Sequence, residues 1–152
     1  MTPVLYTDST RILSVIGLTA DDIPEAFFDQ SDIERALRVD LYTWIPTHAS
    51  QFVAQWDAAT EEARFQSDCL VLYCTYFCAG KVLEGVLGIM VKETDGQSEY
   101  NRFASLDFKQ LAKDLEEKAA RYQQLLLSTL QTPVVQVSQM TVVAPTYDPV
   151  TG

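Results

Sequence analysis

His48 is the single histidine of this 152-residue chain, so a Ser–His–Asp or Cys–His relay would have to run through it. It follows Pro46 closely, at a helix start, where a surface or capping role fits better than that of a general base. The three cysteines, Cys69, Cys74 and Cys78, follow a C-x4-C-x3-C spacing. On a helix Cys74 and Cys78 share a face, while Cys69 is rotated away, because five residues turn the chain by about 500°. A tetrahedral zinc site needs a fourth ligand and usually draws on loop-borne C-x2-C pairs. These thiols therefore read as small buried hydrophobes. The acidic pairs Asp21/Asp22, Glu61/Glu62 and Glu116/Glu117 are adjacent in sequence, so within a helix they diverge and read as caps or solvated faces. Asp95–Gly96 lacks the ligand pattern of a calcium loop. Gly80–Lys81 lacks the glycine spacing and the following Ser or Thr of a phosphate loop. No catalytic constellation, metal or cofactor is expected.

Charge narrows the partners. The chain has 21 acidic and 11 basic residues and a formal net charge of -10, a surface that repels phosphate backbones and argues against reading DNA or RNA. Residues 1–60 hold nine of the acids and three bases, Arg11, Arg35 and Arg38. The opening, MTPVLYTDST, lacks the basic and apolar regions of a signal peptide. An odd, clustered set of cysteines points to reduced thiols in a cytosolic setting.

The elements that must carry these residues are mostly helical. A first helix begins near Thr7 or Asp8, whose side-chain oxygens can cap free N–H groups; it carries Ile12, Leu13 and Ile16 and stops at Gly17. LTADDIPEAFFDQ reads as a loop with a short helical turn, with Phe27 and Phe28 as anchors into the core. Ser31 and Glu34 form a capping box before a helix with Ile33, Leu37, Leu41 and Trp44 at helical spacing, ended by Pro46. Thr47 can cap a short helix bearing Phe52, Val53 and Trp56. Thr60, followed by Glu61 and Glu62, opens a long helix.

The segment Cys69–Val91 is nearly all apolar, but its uninterrupted part, Cys69–Gly80, is shorter than the ~20 residues of a bilayer crossing. It reads as a central helix buried on nearly all sides. Gly80, Gly85 and Gly88 within it imply a kink or close packing. Lys92–Arg102 reads as a loop with a turn at Asp95–Gly96. A last amphipathic helix runs from about Ser105 to Leu130, with Leu111, Leu115, Tyr122 and Leu126 on its apolar face. The expected fold is all-α: a body of four or five helices over residues 1–131 with a long central helix, and an extended C-terminal arm over residues 132–152.

The arm, TPVVQVSQMTVVAPTYDPVTG, has one charged residue, Asp148, and three prolines, Pro133, Pro145 and Pro149. Its β-branched, partly alternating run favours a strand. A lone strand needs a partner for its backbone, in its own fold or on another chain. The partner contacts expected of it are Val134, Val135, Val137, Met140, Val142, Val143, Tyr147 and Pro149.

Three features together resemble the head–tail adaptor (connector, or head-completion) proteins of tailed bacteriophages. They are the opening ILSVIGLTADDIPEAFFDQSDIERALRVDLYTWIP, the helix–loop–helix body with an apolar central helix, and the tail ending in YDPVTG. The resemblance spans most of the chain and implies a non-enzymatic virion protein at the head–tail interface, assembled in the host cytoplasm. Such a protein forms a ring of about twelve copies beneath the portal protein and meets a tail or stopper (nozzle) protein. The DNA channel continues through the ring without specific binding, and no membrane is involved. The arm would dock on the portal or on a neighbouring subunit, and Glu116 and Glu117 would face the channel. Two alternatives stay open: another phage tail-completion or stopper protein, or a cytosolic helical regulatory or binding protein.

Overall fold

The structure, a computed structural model, describes residues 3–23, 27–28, 32–52, 60–93 and 107–130. Of these, 81% are helical, so the body is all-α. The chain opens with β1 (Pro3–Val4) and β2 (Thr7–Asp8), an antiparallel pair in which Val4 faces Thr7. Five helices follow: α1 (Ser9–Ile16), α2 (Ile33–Trp44), α3 (His48–Phe52), α4 (Glu61–Glu93) and α5 (Phe108–Leu130).

Local chemistry accounts for most of the ends. Asp8 Oδ1 accepts the Arg11 N–H at 2.9 Å and caps α1, while Gly17 ends it at φ 74°, a conformation glycine adopts without steric cost. Thr60 Oγ1 accepts from the Ala63 N–H at 3.3 Å and caps α4. Asp107 Oδ1 accepts from the N–H groups of Lys109 and Gln110, both at 3.1 Å, and starts α5 at Phe108 rather than near Ser105. The residue before α2 is Asp32, whose carboxylate binds Arg35 at 2.9 Å, and Glu34 binds Arg38 at 2.6 Å; Ser31, the other half of the expected capping box, lies outside the described residues. Helix α4 runs on through Lys92 and Glu93, where a loop was expected. The hairpin β1–β2 has no counterpart in the sequence reading, because two-residue strands are too short to show a period of two.

Helix α4 is the centre of the molecule. It packs most extensively against α5, and on its other sides against α1 and α2. Leu70, Cys74, Cys78, Ala79 and Val82 of α4 are fully buried, as are Ile12 of α1, Leu37 and Leu41 of α2, Phe52 of α3 and Leu126 of α5. By length and composition the stretch Glu61–Val86 would suffice to cross a bilayer, yet 56% of its apolar window is buried inside the protein. A little over half of that window is thus packed against other parts of the chain. The expected anchor Phe28 is buried, and the Phe27 ring lies against Gly85, where an added Cβ would sit 3.0 Å from the ring. That is the close packing the glycine implied. Val53 and Trp56, the polar segment 94–106 and the arm lie outside the described residues.

Buried polar groups are mostly paired. Thr7 and Thr75 share a hydroxyl hydrogen bond of 2.8 Å that ties β2 to α4, and Thr75 Oγ1 donates in turn to the Val71 carbonyl. Ser67 is the exception: its hydroxyl is buried with no partner among the described residues. Ser67→Ala removes an unsatisfied group and raises helix propensity, so it should stabilise the protein by about 1 kcal/mol. Chemical denaturation followed by circular dichroism checks this; a loss of stability would mean the hydroxyl is bonded.

Candidate functional site

His48 and the three cysteines, singled out for chemistry in the sequence, are used for packing, whereas Asp21, Asp22, Glu61, Glu62, Glu116 and Glu117 are exposed. His48 starts α3; its Nδ1 lies 2.8 Å from the Tyr6 hydroxyl and its ring meets the Tyr6 ring edge-on at 5.6 Å. Tyr6 stands in the turn of the hairpin at φ 61°, a left-handed conformation that is unfavourable for a bulky residue. The imidazole thus fastens a strained turn to α3. Burial lowers the His48 pKa, and the nearby Arg38 lowers it further.

The three thiols are all buried, Cys69 included. Its rotation away from Cys74 and Cys78 does not expose it, because helices cover α4 on more than one side. Burial pushes the Cys78 thiol up to about 12, with a smaller contribution from Glu34. Burial first, then Cys78 and Asp40, holds Cys74 well above its ordinary value. These thiols are kept protonated, the opposite of what nucleophilic or metal-ligating cysteines need. Among the described residues no three His, Cys, Asp or Glu side chains converge as a metal site would require.

A second polar junction lies where α2 meets α4. Asp40 accepts hydrogen bonds from the Tyr73 hydroxyl and, at 3.0 Å, from Trp44 Nε1, and the Trp44 and Tyr73 rings pack edge-on at 5.0 Å. Burial raises the Tyr73 pKa, and the hydrogen bond to Asp40 raises it further.

Among the described residues, the feature best suited to contact with another molecule is a groove between α4 and α5, with a volume of about 480 Å³. Its α4 wall carries Tyr76, Phe77, Gly80, Lys81 and Glu84. Its α5 wall carries Lys109, Ala112, Lys113 and Glu116, which recur at helical spacing. At one end Tyr76 stacks on Tyr122 at 5.6 Å, with Lys118 Nζ 5.4 Å from the Tyr76 ring centre. Lys81 is 3.0 Å from Glu84, and Lys113 is 3.7 Å from Glu117. Four of the five lysines in the chain therefore gather around this groove. No sequence motif announces it, since Lys81 and Lys109 belong to different helices. The helical spacing of Lys109, Lys113 and Glu116 was the only trace, and it reads equally as a solvated face.

Gly80 sits on the groove with nothing within 4 Å of where a Cβ would be placed. Gly80→Ala should therefore be accommodated and stabilise the helix by about 0.5–1 kcal/mol. A raised denaturation midpoint checks this, and a lowered one would mean that chain packs closely over the glycine.

Of the residues expected at a functional site, Glu116 and Glu117 are exposed on α5. Glu116 stands on the groove among lysines, and Glu117 is drawn toward Lys113, so neither belongs to a purely acidic face. Val134, Val135, Val137, Met140, Val142, Val143, Tyr147 and Pro149 lie outside the described residues. No protein family, no curated protein and no solved structure matches the chain.

Proposed function

We propose that this chain is a non-enzymatic virion assembly protein, a head–tail adaptor whose copies form a ring joining the portal protein of a tailed bacteriophage to its tail and continuing the DNA channel. The observation that carries the reading is the division within the chain. A helical body uses its histidine, its thiols and the carboxylates of Asp8 and Asp40 to hold its own elements together, and it is followed by an arm, residues 132–152, that has one charge and a strand-forming sequence. A polypeptide built this way is suited to joining proteins. The net charge of -10 supports it: acids lining a channel repel DNA and let it slide without specific binding. The mostly helical body favours an adaptor over a β-rich stopper protein. In this reading Val134, Val135, Val137, Met140, Val142, Val143, Tyr147 and Pro149 of the arm contact the portal or a neighbouring subunit.

The test is electron microscopy of the full chain with portal from the same genome, beside a variant ending at Thr132. The expected result is a ring stacked on the portal for the full chain, and loss of that complex for the variant with helicity and melting unchanged. A full-length chain that never associates with portal overturns the assignment. Loss of helicity in the variant would instead make the arm part of the fold.

A further inference from the structure

The groove has a complement on the same molecule that it cannot reach. Phe65, near the start of α4, is one of three large hydrophobic side chains left exposed among the described residues, at 46%. Glu61 and Glu62 precede it by four and three residues and Asp68 follows by three, so all three acids share its side of the helix. All are exposed, and none has an ion-pair partner among the described residues. Arg64, just before Phe65, is the one base of this stretch of α4, so the result is an aromatic knob with a net negative surround. The α4–α5 groove has the opposite character: an aromatic and alanine floor, with a rim where Lys81, Lys109 and Lys113 outnumber Glu84 and Glu116 in a chain whose net charge is -10. Lys109 has no acidic partner among the described residues.

Helix geometry keeps the two surfaces apart within one copy. Phe65 and Lys81 lie on the same helix, about 24 Å apart along its axis and about 160° apart around it. We infer that the Phe65 knob of one copy seats in the lysine-rimmed groove of the next, a head-to-tail contact between second copies of this chain. Because the two halves of the contact are different surfaces, it propagates, closing into a ring or running on as a filament. An aromatic anchor in a pocket with opposite charges at its rim is the arrangement that dominates specific interfaces. Charge also separates this occupant from the chain's own C-terminal arm, which offers the lysines a single acid, Asp148. The inference deepens the ring reading by naming its surfaces, and it rests on that reading only for the closure of the contact into a ring.

The test is sedimentation velocity of the full chain over a concentration series, in about 50 mM and about 500 mM salt. Self-association is expected, weakening at least about tenfold at the higher salt. K109E/K113E should weaken it by a similar factor, and so should E61K/E62K, with helicity retained in both. Combining all four changes in one chain should restore association, because knob and groove are again opposite in charge. That rescue separates the contact from a folding defect. A chain that stays monomeric at about 0.5 mM in low salt, or one whose association ignores both reversals, overturns the contact. Portal binding by wild type alongside that second result leaves the adaptor assignment standing, whereas charge-dependent association without portal binding keeps the contact and removes the assignment.

Discussion

Raising the pH from neutrality to about 11 is expected to remove about 3 kcal/mol of stability through Cys78, with a further loss in the same direction from Cys74. The cause lies in Cys74 and Cys78, which α4 holds at the centre of the core with both side chains fully buried. An unfolded thiol loses its proton near pH 8.5, whereas burial pushes Cys78 up to about 12 and Cys74 well above its ordinary value. Both shifts are upward, so the stability they contribute is complete below the unfolded value and falls as pH rises toward the folded one. In that window the unfolded chain has released protons the folded chain retains. Cys78 then lowers stability by about 1.4 kcal/mol per pH unit, and Cys74 steepens the fall. Tyr73, also raised by burial and by Asp40, adds to the loss only above about pH 10. Urea denaturation at intervals from about pH 7 to about pH 11, in the presence of a reductant, measures the slope. C74A/C78A should flatten most of it while costing some stability at neutral pH through the cavities left behind. A wild-type curve that stays level to about pH 10.5 would show that water reaches the thiols.

Asp40→Ala is expected to cost about 2–4 kcal/mol, more than an ordinary helix substitution, because it strips the acceptor from two donors at once. The Tyr73 hydroxyl and Trp44 Nε1 both point at Asp40, and Tyr73 is only 4% exposed, so its hydroxyl has little access to replacement water. Asp40→Asn keeps an acceptor oxygen in the same place and should cost about 1 kcal/mol or less. Tyr73→Phe removes one donor and leaves the partly exposed carboxylate with Trp44, for a cost of about 1 kcal/mol. A double-mutant cycle between Asp40→Ala and Tyr73→Phe should then return a coupling of about 1 kcal/mol or more. Equal losses for Asp40→Ala and Asp40→Asn would locate the effect in the carboxylate's charge rather than in its hydrogen bonds. The junction ties α2 to α4, and the exposed face of α2 carries Val39 and Tyr42, at 67% and 70% exposure. The carboxylate therefore determines how that surface is presented.

What the sequence by itself determined is what short-range physics controls. Asp8, Gly17 and Thr60 punctuate helices through bonds made within three or four residues of themselves, and each does so in the structure. The stripe Ile12, Leu13 and Ile16, and Leu115 and Leu126 on the last helix, are buried because a period of 3.6 residues selects one face before any partner is known. The all-α body followed from these signals. Local signals misplaced one boundary: α5 begins at Phe108, capped by Asp107, rather than near Ser105.

Only the tertiary structure decided which chemistry those helices bring together. Periodicity set Cys69 apart from the other thiols, yet all three are buried, because burial depends on how many neighbours α4 has and not on its own sequence. Asp40 meets Tyr73 across 33 residues, and Thr7 meets Thr75 across 68. The lysines of the groove come from two helices whose pairing no local propensity encodes. The knob at Phe65 was invisible for the same reason: an apolar residue on an apolar helix reads as core until the packing leaves it uncovered. Hydrogen bonds and periodicity act over one or two turns of helix, whereas sites are made of side chains that only the folded chain brings within reach of each other.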